Sequence, residues 1–388
     1  MSKCPMCFEE LPVDFHAWEL SGTGQAPTRS DLASELSGYE VRMEAVLTDR
    51  RDPQDPNWQP GVEAARARYG VPENFVTEGE ICPQCSYRLP AHWRESTVTC
   101  IAMSGARWSG KSLYIAVLVK VLGQYLTALG SSLVPVTDYT ARTYASDYEA
   151  PLFREMEMMQ ATPRTENHRK EPLIFSMGFI GGKRQFLVLR DVAGEELENL
   201  PERTTHLGFL SRADGIVFMF DPLSVDKIRR RLQGLIPEQE GAPGSAMTVL
   251  HNLQVLSEGN LGTTRFAVTL AKFDALQALR DVKDAEWSVI MANPGAGFMR
   301  ENRIEEGFDP VSSLLVHEEV RALLGELGGE EIVNQVRNPH SGRRLAHRFF
   351  AVSSLGDAPQ GKRVSGRGIS PFRVLDPVLW ILREAGSL

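Results

Sequence analysis

The sequence predicts an α/β fold: a three-layer sandwich of helices around a mostly parallel sheet, with one antiparallel edge strand and a small cysteine-rich module before it. From residue 96 onward, short apolar strand patterns alternate with helical patterns, and this alternation is typical of parallel sheets. The connection Gly181-Gly182-Lys183-Arg184 joins two of these strands and predicts an antiparallel hairpin. Four cysteines in two Cys-Pro-x-Cys units predict the N-terminal module.

The elements of the sheet domain follow from runs of apolar and β-branched residues and from helical periodicity. The predicted strands are 97–103, 173–180, 185–190, 214–220, 266–271 and 347–352. The predicted helices are 110–129, 224–235, 246–257, 312–326 and 373–386.

A chain of 388 residues is long enough for two domains. Residues 1–95 have few aliphatic runs, and residues 50–60 hold three prolines among clustered charges, which is typical of a loop. Residues 61–69 predict one short helix. The two cysteine units near the ends of this N-terminal region have the spacing of zinc ligands, so we predict a zinc-ribbon-like module with a looped-out insertion over 1–95 and the sheet domain over 96–388.

The composition is that of an ordinary globular protein, with 42 % hydrophobic and 24 % charged residues, which excludes a disordered chain or a fibre. The net charge of −8 argues against a nucleic-acid partner, because that role needs a basic face. No stretch reaches the roughly 18 apolar residues of a membrane span, and the first residues lack the apolar core of a signal peptide. We therefore expect a cytoplasmic protein without a membrane span.

The strongest motif is Gly105 to Ser112, GARWSGKS, which fits the phosphate-binding pattern G-x-x-x-x-G-K-[ST] in full. It follows a predicted strand and opens a predicted helix, which is the context that the pattern requires. Glycines let backbone N–H groups approach phosphates closely. Lys111 would reach the β- and γ-phosphates, and the Ser112 hydroxyl would ligate Mg²⁺. The predicted phosphate-binding residues are Gly105, Ala106, Arg107, Trp108, Ser109, Gly110, Lys111, Ser112 and Leu113.

A second motif, D-x-x-G, ends the strand that follows the hairpin. Asp191 can hold the Mg²⁺ shell together with Ser112, and the amide of Gly194 can meet the γ-phosphate. Glu195 follows directly. The spacing predicts a magnesium and γ-phosphate site at this strand end.

Two further motifs end the last two predicted strands and indicate a guanine site. In Ala271-Lys272-Phe273-Asp274, the Asp274 carboxylate can accept both guanine donors, N1–H and N2–H₂, which adenine lacks, and the Lys272 stem can lie over the base. The residues Ser353 and Ser354 place backbone N–H groups where guanine O6 can be met. An ATPase, in which the AKFD motif is coincidental, stays an alternative.

Taken in order, GARWSGKS, DVAG, AKFD and SSLG resemble the G1, G3, G4 and G5 boxes of Ras-like, TRAFAC-clade GTPases, with Ala271 in place of the usual Asn. Beyond these boxes, the chain resembles the bacterial double-GTPase domain family of the second type over most of 96–388 and at both ends of 1–95. That resemblance depends on the two cysteine units and on ATPRTENHRKEPLIF, RDVAGE, ADGIVFMFDP and LDPVLWILREAG. It implies a P-loop NTPase sandwich, Mg²⁺-dependent hydrolysis of GTP to GDP, and a regulatory role in bacterial signalling or conflict with a protein effector or regulator.

One departure concerns hydrolysis. In Ras-like proteins a Gln after D-x-x-G orients the attacking water, whereas this chain has Glu195, whose charge would repel the γ-phosphate. We therefore expect slow hydrolysis without a partner, and a poorly hydrolysing scaffold that presents the zinc module to a protein stays an alternative.

A switch-one threonine is expected before the hairpin, where Thr162 and Thr165 both qualify by position and Thr165 is nearer to the following strand. The predicted catalytic residues are Lys111, Asp191, Gly194, Glu195 and Thr165.

The two Cys-x-x-Cys units, Cys4/Cys7 and Cys82/Cys85, can supply a tetrahedral Cys₄ zinc site. In a chain that we expect to be cytoplasmic, this spacing favours metal over disulfide. Four protein ligands close the site, so its role would be structural. Free or redox-active thiols stay an alternative.

Overall fold

The computed structural model describes residues 2–159, 171–234, 236, 244–257, 263–281, 285–300, 308–337, 342, 345–359, 361 and 363–388. Within these ranges the strands are β1 (Phe15–Ser21), β2 (Thr28–Arg29), β3 (Arg42–Met43), β4 (Ala45–Arg50), β5 (Val76–Glu80), β6 (Thr97–Gly105), β7 (Val134–Pro135), β8 (Leu173–Ile180), β9 (Lys183–Asp191), β10 (Gly215–Phe220), β11 (Arg265–Leu270) and β12 (Ala346–Ala351).

The α-helices in the same ranges are α1 (Asp31–Ser37), α2 (Val62–Tyr69), α3 (Lys111–Ala128), α4 (Asp138–Thr143), α5 (Gly194–Glu198), α6 (Asp226–Leu232), α7 (Ala246–Leu256), α8 (Phe273–Gln277), α9 (Ala285–Ala292), α10 (Pro310–Leu327), α11 (Glu330–Arg337) and α12 (Asp376–Glu384). A π-helical segment covers Tyr144–Arg154, and 3₁₀ turns cover Thr205–Arg212, Pro222–Ser224, Ala278–Asp281 and Gly297–Met299. None of these helices combines the length and the apolar character that a bilayer crossing requires.

A seven-stranded sheet organises the molecule, in the order β12-β11-β10-β6-β9-β8-β7. The five strands from β12 to β9 run parallel to one another, which confirms the predicted α/β fold with a mostly parallel sheet. The hairpin between β8 and β9 is confirmed as well, and both turn glycines, Gly181 and Gly182, have positive φ, as the tightest hairpin turns require.

The prediction of one antiparallel strand is confirmed by β8, but its predicted place at the edge of the sheet is wrong. β8 lies second from the edge, and the two-residue β7 pairs antiparallel to it as the edge itself. β7 ends in Pro135, which cannot donate a ladder hydrogen bond and is therefore suited to an edge. A strand this short carries no apolar periodicity from which it could be predicted.

Helices cover both faces of the sheet because side chains alternate along its buried strands. In β6, Ile101 and Met103 belong to the core on the face covered by α3 and α12, whereas Cys100 and Ala102 belong to the core on the face covered by α7, α10 and α11. Local signals set the limits of α10: the Asp309 side chain accepts a hydrogen bond from the first turn, and Gly328 ends the helix with a φ of 89°.

The segment between the two cysteine units has a sheet of its own, β4-β1-β5, which is antiparallel. It has a small core of Trp18, Leu20, Leu47 and Ala65. The predicted short helix is confirmed as α2, but the sheet was not predicted. Residues next to the two cysteine units contact the larger domain: Phe8 meets Phe209 of the 3₁₀ turn edge-on at 5.1 Å, and Trp93 stacks on Phe186 of β9 at 4.7 Å. The domain limit at residue 95 stays a prediction.

Candidate functional site

The Gly105–Ser112 loop, hereafter the P-loop, follows the carboxyl end of β6, between β10 and β9. Gly105 lies so close to β10 that an added Cβ would stand 2.6 Å from the Met219 carbonyl oxygen. Trp108 and Gly110 have positive φ values of 64° and 83°. A bulky residue in that conformation is strained, and such strain is concentrated at functional loops.

One backbone N–H group of the P-loop already donates a hydrogen bond to a carboxylate. The Arg107 N–H donates to Glu198 Oε1 at 3.2 Å. Glu198 ends α5, and Gly194, which begins this helix, touches the P-loop: an added Cβ would lie 2.6 Å from the Gly105 carbonyl oxygen and 2.8 Å from the Arg107 nitrogen. The fold therefore brings the P-loop and the D-x-x-G segment into direct contact.

Lys111 lies between the P-loop and the D-x-x-G segment. Its Nζ is 3.0 Å from Asp191 Oδ1 and donates a hydrogen bond to the Val192 carbonyl oxygen. Asp191 Oδ1 is buried, and although it is close to the ammonium group, the two are not aligned for a hydrogen bond. Ser109 Oγ is also buried and has no hydrogen-bond partner among the described residues. Such underused polar atoms fit a site that completes its bonding with a phosphate and a hard cation.

The other predicted phosphate-site residues take different positions around the loop. Ala106 is buried, Ser112 is half-buried in the first turn of α3, and Leu113, in the same turn, packs against the core. Glu195 points back to the loop, where its Oε1 lies 2.8 Å from Arg107 Nε. Glu196 pairs with His206 at 2.5 Å. Thr162 and Thr165 lie outside the described residues.

The two predicted guanine-site motifs meet at the ends of β11 and β12. Ser353 Oγ donates to Asp274 Oδ1 at 2.5 Å and accepts from the Gly356 N–H at 2.9 Å. Burial raises the pKa of the Asp274 carboxyl, and the Ser353 hydrogen bond opposes that rise. Ser354 is buried next to this pair. Lys272 Nζ donates to Asp221 Oδ2 at 2.7 Å.

The four predicted zinc ligands converge in the fold. Their sulfur atoms are all buried and lie within 4.8 Å of one another. Cys4 Sγ is 3.5 Å from Cys85 Sγ, and Cys7 Sγ is 3.8 Å from Cys82 Sγ. Tetrahedral zinc with bonds of about 2.3 Å separates its sulfur ligands by roughly 3.8 Å, so the cluster fits this ion.

The backbones of the two cysteine units have matching conformations. The Phe8 N–H donates to the Cys4 carbonyl oxygen and the Ser86 N–H donates to that of Cys82. Phe8 and Ser86 both have positive φ, at 58° and 56°. Each unit is thus a tight turn that aims two sulfurs at one point.

The cysteine cluster touches the strand that leads into D-x-x-G. Arg190, next to Asp191, donates to the carbonyl oxygen of Met6 inside the first cysteine unit, and its guanidinium lies 3.7 Å from the Phe209 ring centroid. Burial lowers the pKa of Arg190 to about 10, which leaves it charged at neutral pH. Arg190, Glu198 and Asp221 were not predicted as functional residues, although Arg190 and Glu198 lie close to the D-x-x-G motif on its two sides.

Comparison with known proteins shows a family to which the chain belongs. No family model matches the chain, so the resemblance to the double-GTPase family stays a prediction. A crystal structure of Sup35 complexed with GMPPNP matches 74 % of this chain and 44 % of its own, at 12 % identity and a TM-score of 0.28. A relative from Mycolicibacterium smegmatis (strain ATCC 700084 / mc(2)155) is 43 % identical over 393 residues and is covered, like this chain, to 100 %. That relative is named "Putative ESX-1 scaffolding and assembly protein SaeC", and the chain belongs to its family.

Proposed function

We propose that this protein is a Mg²⁺-dependent switch that binds and slowly hydrolyses GTP and passes its state to a protein partner. The observation that carries this proposal is that the motifs converge. The P-loop, Lys111 and the D-x-x-G segment meet at the carboxyl ends of β6 and β9, and AKFD meets SSLG at the carboxyl ends of β11 and β12. Ligands of open parallel sheets bind at the carboxyl ends of the strands, and all four motifs lie there.

Each predicted site residue would hold one part of the nucleotide or the Mg²⁺ ion. Backbone amides of the P-loop and Lys111 would hold the phosphates, and Asp274 would accept the guanine donors. Ser112 and Asp191 would hold Mg²⁺, which neutralises charge on the phosphate oxygens. Since Lys111 and Asp191 are now 3.0 Å apart, nucleotide and cation would separate them, with Lys111 turning to phosphate and Asp191 to the metal shell.

A scaffold that binds GTP but hydrolyses it poorly is the second candidate. Two observations favour it: Glu195 occupies the position of the water-orienting Gln and is held by Arg107 at 2.8 Å, and the relative is named for scaffolding and assembly. A scaffold would use the nucleotide to fix one conformation, without rapid turnover.

Phosphate release from GTP and from ATP, with Mg²⁺ and with the Lys111→Ala variant as the blank, tests both candidates. Turnover of GTP alone supports the switch, and tight GTP binding without turnover supports the scaffold. Failure to bind either nucleotide contradicts both, and equal use of ATP rejects guanine specificity.

Glu198→Gln is expected to tighten GTP binding about 5-fold. The Glu198 carboxylate occupies the Arg107 N–H, so a phosphate has to displace it, and a neutral amide is the weaker competitor by about 1 kcal/mol. The dissociation constant of a fluorescent GTP analogue measures the change. Glu202→Gln, the same change at an exposed position nearby, is the control and leaves affinity as it was. Weaker binding by Glu198→Gln would mean that Glu198 assists the nucleotide.

Guanine selectivity is expected to fall as the pH is lowered. Asp274 accepts the guanine donors only when it is ionised. Burial raises the pKa of its carboxyl, so Asp274 becomes protonated at a higher pH than an ordinary Asp, whose pKa is about 3.9. The GTP-to-ITP affinity ratio measures this effect, because ITP lacks the 2-amino group but carries the same triphosphate. The ratio should approach one at acid pH and should be independent of pH in Asp274→Asn. A constant ratio in the unmodified protein contradicts the role of Asp274.

A further inference from the structure

Asp221 lies outside the four nucleotide-binding motifs and stands beside the predicted guanine site. It follows β10 directly and is only 5 % exposed. One carboxylate oxygen, Oδ2, accepts from Lys272 Nζ at 2.7 Å, and the other, Oδ1, accepts from the Leu223 N–H at 2.9 Å. A buried carboxylate is unfavourable without a cation, and Lys272 provides that cation.

The side chain of Lys272 needs a contact outside its own loop to hold it in one conformation. Its φ is 51°, a left-handed conformation that is unusual for a residue with a side chain, and it precedes α8 without capping that helix through its side chain. A lysine side chain in an open loop samples many rotamers. The ion pair with Asp221 selects among them.

The pair also fixes the direction of the side chain. Lys272 reaches from the end of β11 towards Asp221 at the end of β10, whereas Asp274 reaches towards Ser353 beyond β12. The two predicted base contacts therefore diverge on either side of the end of β11. Ala271, which stands where Ras-like GTPases have an Asn, has no side-chain hydrogen bond to offer between these loops.

We propose that Asp221 is a positioning residue for the nucleotide base: it holds the Lys272 stem as a platform for the face of the purine ring. This inference rests on the proposed GTP binding. The platform contacts the ring face and Asp274 contacts the ring edge, so the two contributions are separable by the choice of nucleotide.

Affinities for GTP and ITP distinguish the platform from the edge contact. In Asp221→Asn, which keeps an acceptor for the Leu223 N–H, both nucleotides should bind about 10-fold more weakly and their affinity ratio should not change. In Asp274→Asn the ratio itself should collapse. The double variant Asp221→Asn/Lys272→Ala should bind no more weakly than Lys272→Ala alone, because both act through one contact.

Asp226→Asn is the matched control, since it removes a nearby, exposed charge, and it should leave both affinities unchanged. If Asp221→Asn does not fold, Lys272→Met breaks the same ion pair from its other end and should give the same equal loss. Unchanged affinities in a folded variant, or a changed GTP-to-ITP ratio, overturn the role of Asp221 and leave GTP binding intact. Absence of GTP binding in the unmodified protein refutes the proposed function and this inference with it.

Discussion

Replacing Lys111 with alanine is expected to weaken GTP binding about 100-fold or more. In the proposed complex the ammonium group faces two phosphates, and charge-assisted hydrogen bonds contribute about 1.5–3 kcal/mol each. A loss of roughly 3 kcal/mol is a little over two powers of ten in affinity. Titration with a fluorescent GTP analogue measures it, and the turnover blank described above uses the same variant.

The control for Lys111→Ala has to separate binding from stability. In the free protein Lys111 lies 3.0 Å from Asp191, so its removal also leaves a buried carboxylate oxygen without a nearby cation. Lys120→Ala removes a lysine from the same helix, one that pairs with Glu149 at 3.0 Å on the surface. Melting temperatures of both variants show whether the fold survives. Normal GTP affinity in a folded Lys111→Ala protein would overturn the P-loop assignment.

The elements of the large sheet other than β7 were predictable because their signals are local. The strand 173–180 has the predicted limits, since an apolar run ends at a two-glycine turn. Helices α7 and α10 agree within two residues with predictions based on apolar periodicity. The π-helical segment at 144–154 was missed because it contains Pro151, which reads as a break. Strand β1 was missed because its sequence, FHAWELS, mixes polar and apolar residues without regular alternation.

In the candidate site, too, the local features were predictable and the long-range contacts were not. The P-loop, D-x-x-G and AKFD motifs are contiguous, so the sequence alone indicates their chemistry. The contacts of Glu198 with Arg107, of Asp221 with Lys272 and of Arg190 with Met6 join residues that are far apart in the chain. They depend on the order of strands in the sheet, which a single sequence does not determine. These contacts also suggest how the site would respond to a ligand.

The second large effect is expected at the cysteine cluster: purified protein should contain about one zinc per chain, and Cys82→Ser should lose the metal and the fold of the N-terminal module. The apolar core of the module beyond the cysteine units consists of Trp18, Leu20, Leu47 and Ala65, which is too small to replace a metal. Structural zinc contributes about 10–16 kcal/mol of apparent binding free energy in small domains, comparable to the whole stability of a domain.

Cys100→Ala is the matched control for that loss. Cys100 is buried in β6 and does not belong to the cluster, so this variant should keep its zinc. Elemental analysis gives the zinc content, and amide hydrogen exchange over residues 15–80 reports on the module. Metal-free protein with unchanged exchange would contradict a structural zinc site.

The zinc variant should also weaken GTP binding, although no cysteine is predicted to touch the nucleotide. Arg190 donates to the Met6 carbonyl oxygen in the first cysteine unit, and the next residue is Asp191, the predicted magnesium ligand. When that unit unfolds, the buried guanidinium of Arg190 loses this acceptor, and the end of β9 loses its support. Affinity for GTP should therefore fall several-fold in Cys82→Ser and stay normal in Cys100→Ala. If Cys82→Ser binds GTP normally, the module and the nucleotide site are independent, and a path from nucleotide to partner through the zinc module is ruled out.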